Sequence, residues 1–117
     1  MAKKEVELDF TAFVTSIEKW DGVTPPFDEI VRSGLMHAAL MCKGDEFRRR
    51  LSEKLEIGGS TISRYATGVA HPHNSVKTMV VRESHKLLVA MREQAIKEHN
   101  SMVLFMRNMG GNNDPDD

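Results

Sequence analysis

At 117 residues, with 40% hydrophobic and 28% charged residues, the chain has the balance of one ordinary globular domain with a modest core. No apolar run approaches the ~20 residues that a membrane span needs, and a single cysteine, Cys42, excludes an internal disulfide. The opening Met-Ala-Lys-Lys-Glu-Val-Glu lacks the apolar stretch of a signal peptide, so a cytoplasmic protein without membrane association is expected.

The net charge of −1 conceals an uneven distribution. Residues 1–42 and 78–117 carry more acidic than basic groups. Between them, Lys43, Arg48, Arg49, Arg50, Lys54, Arg64 and Lys77 outnumber Asp45, Glu46, Glu53 and Glu56. A polyanion responds to local rather than whole-chain charge, so the middle third is where a nucleic acid would be met. A solvated polar face is the alternative for the same residues.

Residues 1–8 read as a disordered polar lead-in, and 9–74 as a helical domain. Phe10, Phe13, Val14, Ile17 and Trp20 recur at three- and four-residue steps and define a first helix face, with Asp9 or Thr11 as cap. Asp21-Gly22 stops it, and Val23-Thr24-Pro25-Pro26 is a stiff connector. A second helix is predicted from about Pro26 to Cys42. Its stripe is Phe27, Ile30, Val31, Leu35, Ala38, Ala39 and Cys42; Gly34 invites a bend in its middle, and Gly44 supplies a left-handed end.

Asp45 reads as the cap of a third helix, with Phe47, Leu51 and Leu55 as its buried edge. Ile57-Gly58-Gly59 breaks that helix, and Ser60 caps a short one ending at Gly68. Residues 69–74 form a loop. From Ser75 to about residue 107 no proline or glycine intervenes, so a long C-terminal helix for packing and dimerisation is expected. Leu88, Met91, Ala95, Met102 and Phe105 form its seam, which Glu98 interrupts. Residues 108–117 read as a disordered acidic tail. The fold class is all-α, with about five or six helices.

The stretch Leu51–Pro72, LSEKLEIGGSTISRYATGVAHP, is the most informative. It is a helix, a tight break and a short helix whose exposed start carries small polar groups and an arginine. Such a surface suits the major groove, and the free N–H groups of a helix start suit a phosphate. The segment resembles the helix-turn-helix of lambda repressor/Cro-like regulators. In that family Leu-small-Glu-x-Leu is followed by a turn, then by a Ser-Thr-Ile-Ser-Arg type of helix, then by Gly and Pro. The resemblance is strong over residues 51–72 and loose over 35–90. It implies a repressor-like core with the helix-turn-helix at 46–67. It also implies that Ser52 lies at the helix crossing and that Ile57 and Ile62 lock the pair.

By the same resemblance Gly59, Ser60, Ser63 and Arg64 face bases, and Arg48, Arg49, Thr61 and Lys77 are candidates for the DNA backbone. Glu56 departs from the family, standing where a left-handed glycine is usual. Gly59 lacks a side chain that often reads a base.

His71-Pro72-His73 matches no zinc spacing, even with His37, His85, His99 or Cys42 added, so no metal is expected. Gly58-Gly59-Ser60-Thr61 lacks the lysine of a phosphate-binding loop. No nucleophile with its base is apparent, so the chain is not expected to be an enzyme or to hold a cofactor. The expectation is a homodimeric, sequence-specific regulator of transcription, a repressor of bacterial or phage type, with double-stranded DNA as partner. The alternative is a protein-interaction module on the same scaffold that inhibits or adapts the transcription machinery, or an antitoxin-type regulator with a protein partner.

Overall fold

The computed structural model describes the backbone of residues 2–113 and the side chains of residues 10–109. It contains five helices: α1 (Ala2–Glu18), α2 (Phe27–Leu40), α3 (Gly44–Leu55), α4 (Gly59–Thr67) and α5 (Asn74–Asn113), with no strand among the described residues. The fold is all-α, as the periodicities predict.

α2 is the central element and packs against each of the other four helices. Its buried side, Phe27, Ile30, Val31, Gly34, His37 and Ala38, follows helical spacing and supplies much of the core. Phe47 and Leu51 of α3, Ile62 and Tyr65 of α4, and Val80, Val81, Leu88 and Met91 of α5 close around it. α1 seals the remaining side with Phe10 and Ile17. The His37 ring stacks on Phe13 with centroids 5.0 Å apart and meets Phe10 edge-on at 5.5 Å. Arg92 of α5 lies over the Phe10 ring at 4.5 Å. The α1–α2 connector is held by the Asp21 carboxylate, which accepts the backbone N–H groups of Val23 and Thr24 at 2.8 Å each. Trp20 Nε1 donates to the Pro25 carbonyl, also at 2.8 Å.

Several boundaries differ from the sequence reading. The lead-in is helical from Ala2, because Ala, Lys, Glu and Leu are strong helix formers even without a recurrent apolar face. α2 runs unbroken through Gly34, where an added Cβ would meet Phe47 Cζ at 3.6 Å and Leu88 Cδ1 at 3.7 Å, ordinary contact distances. The left-handed residue after α2 is Cys42 (φ 61), not Gly44. Gly44 instead starts α3 against Ala39, whose Cα and Cβ would both be 3.5 Å from an added Cβ. α3 thus begins before Asp45, with Lys43 as its cap residue, and Ser60 lies inside the first turn of α4, capped by Gly58 without a side-chain bond.

α5 continues past residue 108 to Asn113, because a helix already formed gains one bond per added residue and no proline intervenes before Pro115. Residues 114–117 of the expected tail lie outside the described residues.

The long helix corrects the expected dimer seam. Leu88 and Met91 are 0% and 2% exposed, buried in the chain's own core, and cannot face a partner. Ala95 is half-buried, whereas Met102 and Phe105 are 62% and 64% exposed. At 1.5 Å per residue the 40-residue helix is about 60 Å long, which accounts for the 64 Å long axis of a molecule only 30 and 20 Å across.

Candidate nucleic-acid interface

α3 and α4 form a helix pair joined by three residues, Glu56-Ile57-Gly58. The joint is tight because Glu56 adopts the left-handed conformation (φ 57, ψ 44). The chain then doubles back so that the Ile57 N–H bonds the Ser52 carbonyl at 3.0 Å. Ser52 Oγ donates in return to the Ile57 carbonyl. The small residue at the crossing therefore ties both ends of the turn, and Ile57 packs against the core.

α4 is held by its inner side. Ile62, Tyr65 and Ala66 are buried, and Tyr65 meets Phe27 of α2 edge-on at 5.6 Å. Its end is closed by Gly68 (φ 78), whose N–H bonds the Tyr65 carbonyl at 3.2 Å, and by Val69 N–H on the Arg64 carbonyl at 3.0 Å. Arg32 Nη1 of α2 caps the Ala66 carbonyl at 3.0 Å. Nothing in the sequence marks this contact, since it joins residues 34 apart.

The structure gathers part of the expected site. Ser60 and Arg64 are exposed on α4, while Gly59, Thr61 and Ser63 are half-buried. Among the described residues no hydrogen bond or ion pair holds the Arg64 guanidinium or the Lys54 ammonium at the end of α3. Arg48 reaches across from α3: Nη1 lies 3.5 Å from Ser63 Oγ and Nη2 lies 3.5 Å from Asp45 Oδ1. Its side chain also runs past Gly59, 3.9 Å from the position of an added Cβ. Arg48, Gly59 and Ser63 are therefore one cluster.

Arg49 and Lys77 are directed elsewhere. Arg49 pairs with Glu53 one turn along its own helix at 3.3 Å, and the Lys77 ammonium lies 5.7 Å from the centroid of the Phe27 ring. Arg50 pairs with Glu46 at 3.5 Å. Much of the basic surplus read from the sequence is thus matched by carboxylates on α3. Exposed pairs of this kind are worth about 1 kcal/mol or less, so a phosphate can displace the carboxylate.

Among the described residues no group of three or more His, Cys, Asp or Glu side chains gathers in a way that could hold a metal ion. Nor, among the described residues, is any helix long and apolar enough to cross a membrane. No family model matches the chain, and neither a curated protein nor a solved structure similar to it is found.

Proposed function

We propose that the protein is a sequence-specific double-stranded DNA-binding regulator of transcription that acts as a two-fold dimer, with α4 as the recognition helix. One observation carries the reading. α4 buries Ile62, Tyr65 and Ala66 and turns outward Ser60, with Gly59, Thr61 and Ser63 half-exposed around it, beside an arginine side chain with no partner among the described residues. A protein surface of this kind enters the major groove, about 12 Å wide, without burying apolar bulk against base edges.

In this reading Arg64 reads a guanine edge, Ser60 and Ser63 add shorter contacts, and Arg48 exchanges Asp45 for a phosphate. Thr61 and Lys54 are further candidates for the backbone. Occlusion of a promoter, giving repression, is the simplest consequence.

The test is selection from random duplexes at two salt concentrations, with Arg64→Ala in parallel. A two-fold-symmetric site should be enriched, its affinity should fall steeply as salt rises, and Arg64→Ala should cost about 1–3 kcal/mol. The internal pairing of Arg48, Arg49 and Arg50 favours a second reading, a protein-interaction module on the same scaffold. Absence of any enriched sequence, with binding indifferent to Arg64, would transfer support to that reading.

A further inference from the structure

The last part of α5 presents an unusual surface. Met102, Leu104, Phe105 and Met106 are each more than half exposed, Met109 is 49% exposed and Val103 38%. Residues 102–106 are an unbroken apolar run, so apolar side chains point to every side of the helix, which is the pattern of a helix covered all round. One parallel or antiparallel neighbour would cover only half of it.

The domain carries a surface suited to such a segment. Between α3 and α5 lies a hollow of about 520 Å³ that includes Leu51, Leu87 and Ala90, with Arg50, Lys54 and Lys86 at its edges. It shares Arg50 and Ala90 with a second hollow of about 390 Å³, and that one shares Gln94 and Glu98 with a third of about 450 Å³ reaching Phe105. The three form a single groove along one side of α5, running from the body of the domain onto the projecting helix.

We infer that the projecting segment, residues 98–109, occupies the α3–α5 groove of a second copy of this chain, each copy receiving the other's tail. Length, coverage and area agree with this occupant. Twelve residues from Glu98 to Met109 span about 18 Å, and the twelve from Glu83 to Gln94 that wall the groove span the same. An antiparallel crossing of the two long helices at the level of Ile96 sets Met102 opposite the partner's Ala90 and Phe105 opposite the partner's Leu87. There the tail lies between two helices, α3 and α5, and so is covered on more than one side.

The exposed apolar side chains offer about 100 Å² apiece, or some 1,200 Å² from two tails before the groove walls are added, which reaches the range of stable interfaces. This arrangement gives a structural basis for the dimer in the reading above, but it rests on α5 and not on α4.

The experiment is sedimentation of the full chain without DNA, so that its outcome is separate from whether α4 binds a duplex. The wild type should have twice the mass of the 13.2 kDa chain. Phe105→Glu and Ala90→Lys, both at exposed positions, should each weaken association tenfold or more with the helical signal retained. In a Cys42→Ser background, Ala90→Cys with Met102→Cys should oxidise to a dimer linked from 90 to 102. These positions are about 18 Å apart on one helix and cannot bond within a chain. A monomeric wild type overturns the inference, as does a dimer that Phe105→Glu dissociates while Ala90→Lys leaves it intact, since its tails would then pair with each other.

Discussion

Glu56 is the clearest place to test how the α3–α4 turn is held. It is a non-glycine residue at φ 57, ψ 44, where the Cβ crowds the following carbonyl at a cost of about 1–2 kcal/mol. Its side chain is exposed and makes no hydrogen bond or ion pair among the described residues, so replacing it removes no native contact. Glu56→Gly relieves the left-handed cost but gives the unfolded chain more freedom, worth roughly 0.4–1 kcal/mol in the opposite direction. The balance is a stabilisation of about 0.5–1 kcal/mol. For a chain of this size that raises Tm by roughly 2–5 °C.

Glu56→Ala keeps the Cβ, and so should show no such gain. Urea titrations of the three proteins should give a higher midpoint for the glycine variant alone, with the slope unchanged. A glycine variant no more stable than the wild type, or an alanine variant equally improved, would show that the left-handed backbone costs nothing at this turn. In the second case the carboxylate rather than the backbone would be the source of the cost.

Gly68→Ala should act in the opposite direction, losing about 1–2 kcal/mol by urea denaturation. It forces a side chain into φ 78 and brings its Cβ within 3.4 Å of Asp28 Oδ2. Gly34→Ala should be neutral or stabilising by up to about 1 kcal/mol, since its Cβ meets Phe47 and Leu88 at ordinary contact distance and the helix gains propensity; a loss above 1 kcal/mol would show the α2–α3 crossing to be tighter than described. The Asp21 carboxyl is held below the ordinary 3.8 by the N–H groups of Thr24 and Val23. The stability it contributes is therefore complete above the unfolded-state pKa and is lost as pH falls through the lower folded-state value. A carboxyl-resonance titration should place its midpoint below 3.8, and Asp21→Asn should reduce the acid-side slope of stability; a midpoint at or above 3.8 would contradict the connector geometry.

Sequence alone determined what depends on local spacing. Three- and four-residue apolar steps define α1 and α2. Gly68 ends α4 in a left-handed residue, as expected of a glycine following a short capped helix. The left-handed conformation of Glu56 (φ 57) was implied by the family resemblance and not by local spacing. Ser60 and Arg64 could be placed on the outer side of α4 because Ile62 and Tyr65 define its inner one.

Tertiary structure decided what depends on distant neighbours. Leu88, Met91, Ala95, Met102 and Phe105 are one continuous seam in sequence, and nothing in their spacing shows where the domain stops covering it. Only the packing of α2 and α3 buries the first two and leaves the last two exposed. Glu98, which interrupts the seam, marks that limit: it lies 3.7 Å from Lys43 at the start of α3. Gly44 likewise reads as a cap from sequence, but it starts α3, and the left-handed residue is Cys42. The reach of Arg48 across to Ser63, and of Arg32 to the end of α4, turned a count of basic residues into a specific surface. Charge is additive along a chain, but which cations remain free is a property of three-dimensional neighbours.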